Sequence, residues 1–140
     1  HGTGWLGWGG GLGTCRPVSG DDPDAHRMPR GDSCGPAATL EAWRDATRVI
    51  AVGTTTVRAL ESAARSGLEG RTDLFIRPPF DFRVVDVLLT NFHQPRSSLL
   101  VMLEAFAGPR WRELYGTALA DGYRFLSFGD AMLVGRAATS

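Results

Sequence analysis

Three short segments of the 140-residue chain carry residue types that could do chemistry. The first is Gly53-Thr54-Thr55-Thr56-Val57-Arg58, between a β-branched run and a helical pattern. Backbone N–H groups at a helix start, with hydroxyls beside them, make an anion site, and Arg58 in the first turn could face the same charge. The bland alternative is a Thr54 or Thr55 that only caps the helix. The spacing matches neither a P-loop nor a dinucleotide fingerprint. The second segment is Leu89-Thr90-Asn91-Phe92-His93-Gln94-Pro95, at the end of an apolar strand. His93 has an ordinary pKa suited to proton transfer near neutrality, and Asn91 could orient a partner. Equally, His93 could be structural, satisfying the backbone of the Gln94-Pro95 turn. The third is Phe125-Leu126-Ser127-Phe128-Gly129-Asp130, where Gly129 permits a sharp turn and Asp130 follows as a carboxylate beside two aromatics. Spacing alone reads that Asp as a surface turn residue. Glu61 is expected to be solvated on a helix face. No metal-ligand cluster and no Ser-His-Asp order emerges.

These segments need a scaffold, and the chain supplies one from Ala37 onward. A short helix is expected over 37–45, a buried strand over 48–53 (RVIAVG), and a turn at 54–56. A helix follows over 57–65, with Val57, Leu60, Ala63 and Ala64 on one face and Gly67 and Gly70 ending it. Short strands are expected at 74–76 and 82–85 around the Pro78-Pro79 break, and a longer one over 87–93. In the helix over 97–107, Leu99, Met102, Leu103 and Phe106 fall at i, i+3, i+4 and i+7, and Gly108-Pro109 ends it. A second helix is expected over 110–121 and strand character over 124–134. Strands alternating with helices indicate an α/β fold, a mixed sheet with packed helices. Polar groups at the carboxyl ends of strands in such a sheet sit where ligands bind.

Residues 1–36 read differently. Ten of the 18 glycines lie in residues 1–35, beside Pro17, Pro23 and Pro29, so this Gly/Pro-rich segment is expected to be partly irregular and the α/β part to occupy 37–140. The chain does not open on Met, so a preceding stretch is expected. Hydrophobic residues make up 43% and charged residues 21%, which places the chain among ordinary globular domains. No apolar run spans a bilayer and no leader pattern stands at the start, so a cytoplasmic location without membrane contact is expected. All fifteen basic side chains are Arg, scattered and balanced by fifteen acids. No basic stripe marks an RNA-binding face. Cys15 and Cys34 suggest neither zinc nor a disulfide framework.

Taken together, the segments resemble one family. RVIAVGTTTVRALESAA (48–64), TDLFIRPPFDFRVVDVLLTNFHQPRSSLLVMLEAFAG (72–108) and YRFLSFGDAMLV (123–134) are similar to consecutive blocks of the S-adenosylmethionine:tRNA ribosyltransferase-isomerases, in the same order. TDLFI, LLTNFH and GDAML are long, unusual motifs. A weaker likeness runs upstream through GLGTCRPV (11–18) and an H-x-M element at His26 and Met28, with Pro36 and Thr39 at fitting distances. The chain departs from the pattern at Cys15 and Phe128, where Phe and Tyr are usual, and at Pro29 and Gly31, where His and Glu are usual; His1–Gly10 matches no part of it.

The resemblance implies an incomplete large α/β domain, without the family's separate β-barrel-like domain. It also implies a reaction: the ribosyl moiety of S-adenosylmethionine moves to 7-aminomethyl-7-deazaguanine at the tRNA wobble position. Epoxyqueuosine forms, and adenine and methionine leave. The implied partners are S-adenosylmethionine as cosubstrate and tRNA carrying that base, with no metal and a monomeric full-length enzyme. Carried onto this sequence, His93, Asp130 and Asn91 become catalytic candidates, with His93 first for proton transfer. Thr54, Thr55, Arg58 and Thr90 become binding candidates for the cosubstrate or an anionic group. An inactive truncated remnant and a paralogue acting on another acceptor remain open alternatives.

Overall fold

A computed structural model describes residues 7–9, 31–34, 37–67 and 70–138. Two three-stranded sheets are present among them. In the first, β1 (Gly7–Gly9), β2 (Gly31–Cys34) and β4 (Gly70–Thr72) pair antiparallel in the order β1-β2-β4. The second, mixed sheet holds β3 (Ile50–Val52), β5 (Val87–Asn91) and β6 (Ala131–Gly135) in the order β3-β5-β6. β5 runs parallel to β3 and antiparallel to β6. Four α-helices accompany the sheets: α1 (Ala37–Asp45), α2 (Thr54–Ser66), α3 (Ser98–Ala107) and α4 (Trp111–Ala120). The expected α/β fold, a mixed sheet with packed helices, is the observed one. The GLGTCRPV likeness at 11–18, the His26–Met28 element, Cys15 and Pro36 lie outside the described residues.

The core follows from the period-two burial of the mixed sheet. Ala51, Leu88 and Val134 stand in register across β3, β5 and β6, and all three are buried. Against them pack Val57 and Leu60 from α2, Met102, Leu103 and Phe106 from α3, and Tyr115 and Ala118 from α4. On the sheet's other side Ile50, Val52 and Leu133 are 56%, 65% and 66% exposed, while Val87 of β5 is buried, so among the described residues only the outer strands leave apolar side chains open there.

Several local expectations change. α2 begins three residues earlier than its apolar pattern, so Thr54–Thr56 form its first turn and not a loop before it. Gly53 makes this possible: its φ of 86° lies in the region glycine tolerates, and its N–H donates to Leu89 O at 2.8 Å. Residues 74–76 and 82–85 are not strands. Their polar backbone groups are taken by side chains instead: Leu74 O accepts from Arg58 Nε at 2.8 Å, and the N–H groups of Arg83, Val84 and Val85 donate to Glu61 at 3.0 to 3.2 Å. Glu61 is therefore no solvated helix-face acid. It is fully buried, and Arg65 Nη1 adds a 2.7 Å ion pair. Strand character near the C-terminus is confined to β6, and 123–130 is a closed loop.

Candidate functional site

Parallel pairing of β3 with β5 brings the ends of both strands to one edge of the sheet. The first turn of α2 follows β3 there, and the segment Asn91–His93 ends β5 there. Ala131 opposite Asn91 puts Asp130 at the same edge. The topology thus gathers the sequence candidates at the carboxyl ends of parallel strands, where α/β sheets keep their ligand sites.

Side chains divide that edge into two parts. In the first, Thr54, Thr55 and Arg58 line an open, shallow depression with Leu74, Phe75, Ile76, Ser98, Leu99 and Met102. The first turns of α2 and α3 both face it. Gly53 supplies no side-chain cap to α2, and neither Thr54 nor Thr55 caps it, so the capping alternative does not hold. Thr56 instead turns its hydroxyl back to Val52 O at 2.7 Å. Leading N–H groups of a helix have no partner within it, and they give this end of the depression a positive potential. Arg58 is 5% exposed; burial lowers its pKa and nearby Asp73 raises it. Its Nε is committed to Leu74 O, which ties α2 to the extended wall of the depression. The remaining wall is apolar.

The second part is a set of neutral hydrogen bonds around His93. Its Nε2 lies 2.9 Å from Thr90 Oγ1, and its backbone N–H donates to Tyr115 Oη at 2.8 Å. Burial pushes the His93 pKa down to about 4. The expectation of a histidine titrating near neutrality is corrected accordingly: in this fold His93 is a neutral imidazole at pH 7. Nor does it satisfy the Gln94-Pro95 turn, because Ser97 Oγ donates to Gln94 O at 2.8 Å and also accepts from Leu100 N at 3.4 Å as the cap of α3. Burial raises the Tyr115 pKa while the bond from His93 N lowers it.

Asp130 belongs to the neighbouring loop, and Asn91 at the end of β5 reaches it. Asp130 Oδ2 accepts from Arg124 N at 2.7 Å, and Asn91 Nδ2 donates to Asp130 O at 3.2 Å. The Asp130 carboxylate therefore closes the turn its sequence context suggested. Gly129 is required there, since a Cβ would stand 2.2 Å from Arg124 O. The structure thus joins Thr90 to His93, Asn91 to Asp130, and Thr54 and Thr55 to Arg58, as three separate groups along one edge. Tyr115, Ser98 and the 74–76 wall were not singled out from the sequence. Tyr115 sits in an ordinary apolar stripe, and nothing in its spacing marks it.

A sequence model of the queuosine biosynthesis protein family matches residues 8–134. The chain belongs to the S-adenosylmethionine:tRNA ribosyltransferase-isomerase family. Curated relatives bearing that name include one from Thermus thermophilus, 54% identical over 134 residues, covering 89% of this chain and 39% of the relative. Others come from Rubrobacter xylanophilus, 52% identical over 126 residues, and Thermotoga maritima, 47% identical over 133 residues. They cover 89% of this chain and 38% and 40% of their own lengths. The crystal structure of an S-adenosylmethionine tRNA ribosyltransferase from Thermotoga maritima superposes with a TM-score of 0.69 at 49% identity, covering 74% of this chain and 40% of that one. The chain therefore spans about two fifths of the length of these ribosyltransferase-isomerases. The family match begins at Trp8, so it reaches into the first ten residues, for which no likeness was expected.

Proposed function

We propose that this chain supplies part of the reaction site of a tRNA-modifying transferase-isomerase. That enzyme moves the ribosyl moiety of S-adenosylmethionine to 7-aminomethyl-7-deazaguanine at the wobble position, releasing adenine and methionine as epoxyqueuosine forms. Family membership supports the reaction class. The observation that carries the site is the convergence, at one sheet edge, of an Arg-lined depression and a neutral histidine.

The depression fits the cosubstrate by its chemistry. Its positive end, with the α2 first turn and Arg58, suits a carboxylate, and Leu74, Ile76 and Met102 suit an apolar stretch. Thr54, Thr55 and Arg58 take the binding role, and Thr90 acts through His93. The sulfonium of S-adenosylmethionine acidifies its neighbouring C–H bonds, and a positioned base removes one such proton. His93 is that base in this reading. With its Nε2–H donating to Thr90 Oγ1, Nδ1 carries the lone pair that receives the proton; Tyr115 fixes the backbone beneath it. Its lowered pKa leaves the imidazole neutral at pH 7 and makes it a weaker base than an ordinary histidine, so the reaction relies on its positioning. Asn91 and Asp130 hold the adjoining loop rather than the reacting atoms.

Replacing His93 with Ala is expected to lower adenine release far more than S-adenosylmethionine affinity. Equal losses in both would remove the chemical role. Arg58→Ala is expected to act the other way, on affinity first.

A second reading, an inactive family remnant, is favoured by the exposure of Ile50, Val52 and Leu133 among the described residues. Calorimetric titration of the folded chain with S-adenosylmethionine separates the two. Saturable binding supports the site proposed above; a folded chain that binds nothing supports the remnant. The division of the chain at residue 36 stands as part of the same proposal.

A further inference from the structure

The loop over 123–130 is built to hold one aromatic side chain in solvent. Phe128 is 98% exposed. An apolar ring gains by burial, so a ring left in water on a mobile tip would ordinarily fold back. This tip is tied down. Leu126 N donates to Phe92 O at 2.8 Å, Gly129 N to Leu126 O at 2.9 Å and Asp130 N to Arg124 O at 2.8 Å, while Asp130 Oδ2 accepts from Arg124 N. Leu126 is held at a φ of 71°, a conformation costly for a residue with a Cβ. Beneath it, Phe125 packs on Phe92 and Tyr115, at centroid separations of 5.4 and 5.7 Å. The loop is thus anchored to the residue immediately before His93. Two Arg residues are exposed: Arg124 at the start of this loop and Arg96 on the turn after His93.

A fixed, exposed aromatic face on a loop that also carries an exposed Arg124 has the chemistry that binds an unstacked nucleobase and its phosphates. We propose that Phe128 is a stacking platform for a base of the tRNA anticodon loop, placed beside His93 so that the neighbouring wobble base is presented to it. This inference rests on the tRNA reading above. It adds a specificity-determining contact outside the cosubstrate depression, where neither Thr54, Thr55 nor Arg58 takes part. An enzyme that acts on a base must hold it outside its stack, and a rigid ring supplies the contact energy lost by unstacking.

The test is binding of the full chain to an anticodon stem-loop RNA carrying a fluorescent purine beside the wobble position, with S-adenosylmethionine titrated separately. Phe128→Ala is expected to weaken RNA binding about tenfold and to abolish the stacking quench, leaving cosubstrate binding unchanged. Phe128→Trp is expected to retain both RNA affinity and quench, whereas Phe128→Leu behaves like Ala. Unchanged RNA affinity in Phe128→Ala, or full affinity in Phe128→Leu, overturns stacking while leaving the tRNA reading in place. Sedimentation that shows self-association of the parent chain, lost in Phe128→Ala with RNA binding intact, assigns the ring to a second copy and overturns it too. A parent chain that binds S-adenosylmethionine but no RNA removes the tRNA reading itself, and the platform with it.

Discussion

The two ends of β5 are built from opposite materials. At its amino end the chain is held by ionised side chains. Glu61 accepts three consecutive backbone N–H groups from 83–85 and pairs with Arg65; Asp86 accepts from Val49 N at 2.9 Å and meets Arg136 at 3.2 Å; Arg136 also donates to Phe82 O at 2.6 Å. At its carboxyl end, Thr90, Asn91, His93 and Tyr115 make neutral hydrogen bonds, and the one carboxylate there, Asp130, closes the adjoining loop through Arg124 N. The difference assigns the work. Charge is spent on fixing irregular backbone where no chemistry is proposed, so β5 enters the sheet in one register. The opposite end keeps a neutral imidazole whose protonation state a nearby reaction can change.

The largest effect expected from breaking this contrast is at Glu61. Glu61→Ala strips three N–H groups, one buried and two part-buried, of their acceptor and leaves Arg65 without its carboxylate, a loss of roughly 3–5 kcal/mol. Against a typical domain stability of about 5–15 kcal/mol, that is enough to shift thermal unfolding by circular dichroism far down or abolish the transition. Arg65→Ala keeps the backbone acceptor in place and is expected to cost much less. Equal losses in the two would mean that the ion pair, not the backbone bonds, holds the amino end.

Next in size is the acid response of the carboxyl end. The folded His93 pKa of about 4 lies below its ordinary 6.5, so on acidification the unfolded chain takes up the proton first. Stability is therefore full above about pH 6.5, falls as the pH drops toward 4, and loses no more from this group below that; the total is ~3 kcal/mol. His93→Asn is expected to flatten this part of the profile in denaturant melts across the same window. An unchanged slope would place the acid sensitivity elsewhere. Smaller again is Tyr115→Phe, which leaves the buried His93 N–H without its acceptor. It is expected to cost about 1–2 kcal/mol and to lower adenine release without altering S-adenosylmethionine affinity.

The sequence was most legible where burial is periodic. α3, α4 and β5 carry patterns that tertiary contacts reinforce, and each forms within two residues of where its pattern places it. It was least legible where side chains replace secondary structure. Residues 82–85 look like a strand because Phe82, Val84 and Val85 are apolar, yet Glu61 takes the N–H groups that a neighbouring strand would need. Glu61 looks like a surface acid because nothing in a one-dimensional pattern says that a loop will cross its helix. Likewise Thr54–Thr56 look like a turn because β-branched polar residues are poor helix formers, whereas Gly53 has already set the direction of α2. At the site, the motifs singled out His93, Asn91 and Asp130, and the pairing of β5 with β6 places them on one edge. Their separation into a neutral histidine and a loop-closing carboxylate depends on burial and on Arg124 N, which no spacing records.

The smallest expected effect separates the two remaining candidates for the base. Asp130→Asn retains a side-chain oxygen able to accept from Arg124 N, so the loop should close as before and stability should change by less than ~1 kcal/mol. If His93 receives the proton, adenine release with modified tRNA should fall by no more than a few fold. A fall matching that of His93→Ala, with the loop intact by circular dichroism, would move the proton to Asp130. It would also erase the contrast between the ends of β5, because the reacting end would then depend on an ionised group too. A small effect at Asp130 beside a large one at His93 would instead tie the chemistry to the neutral end, with the charged end serving only to hold the strand.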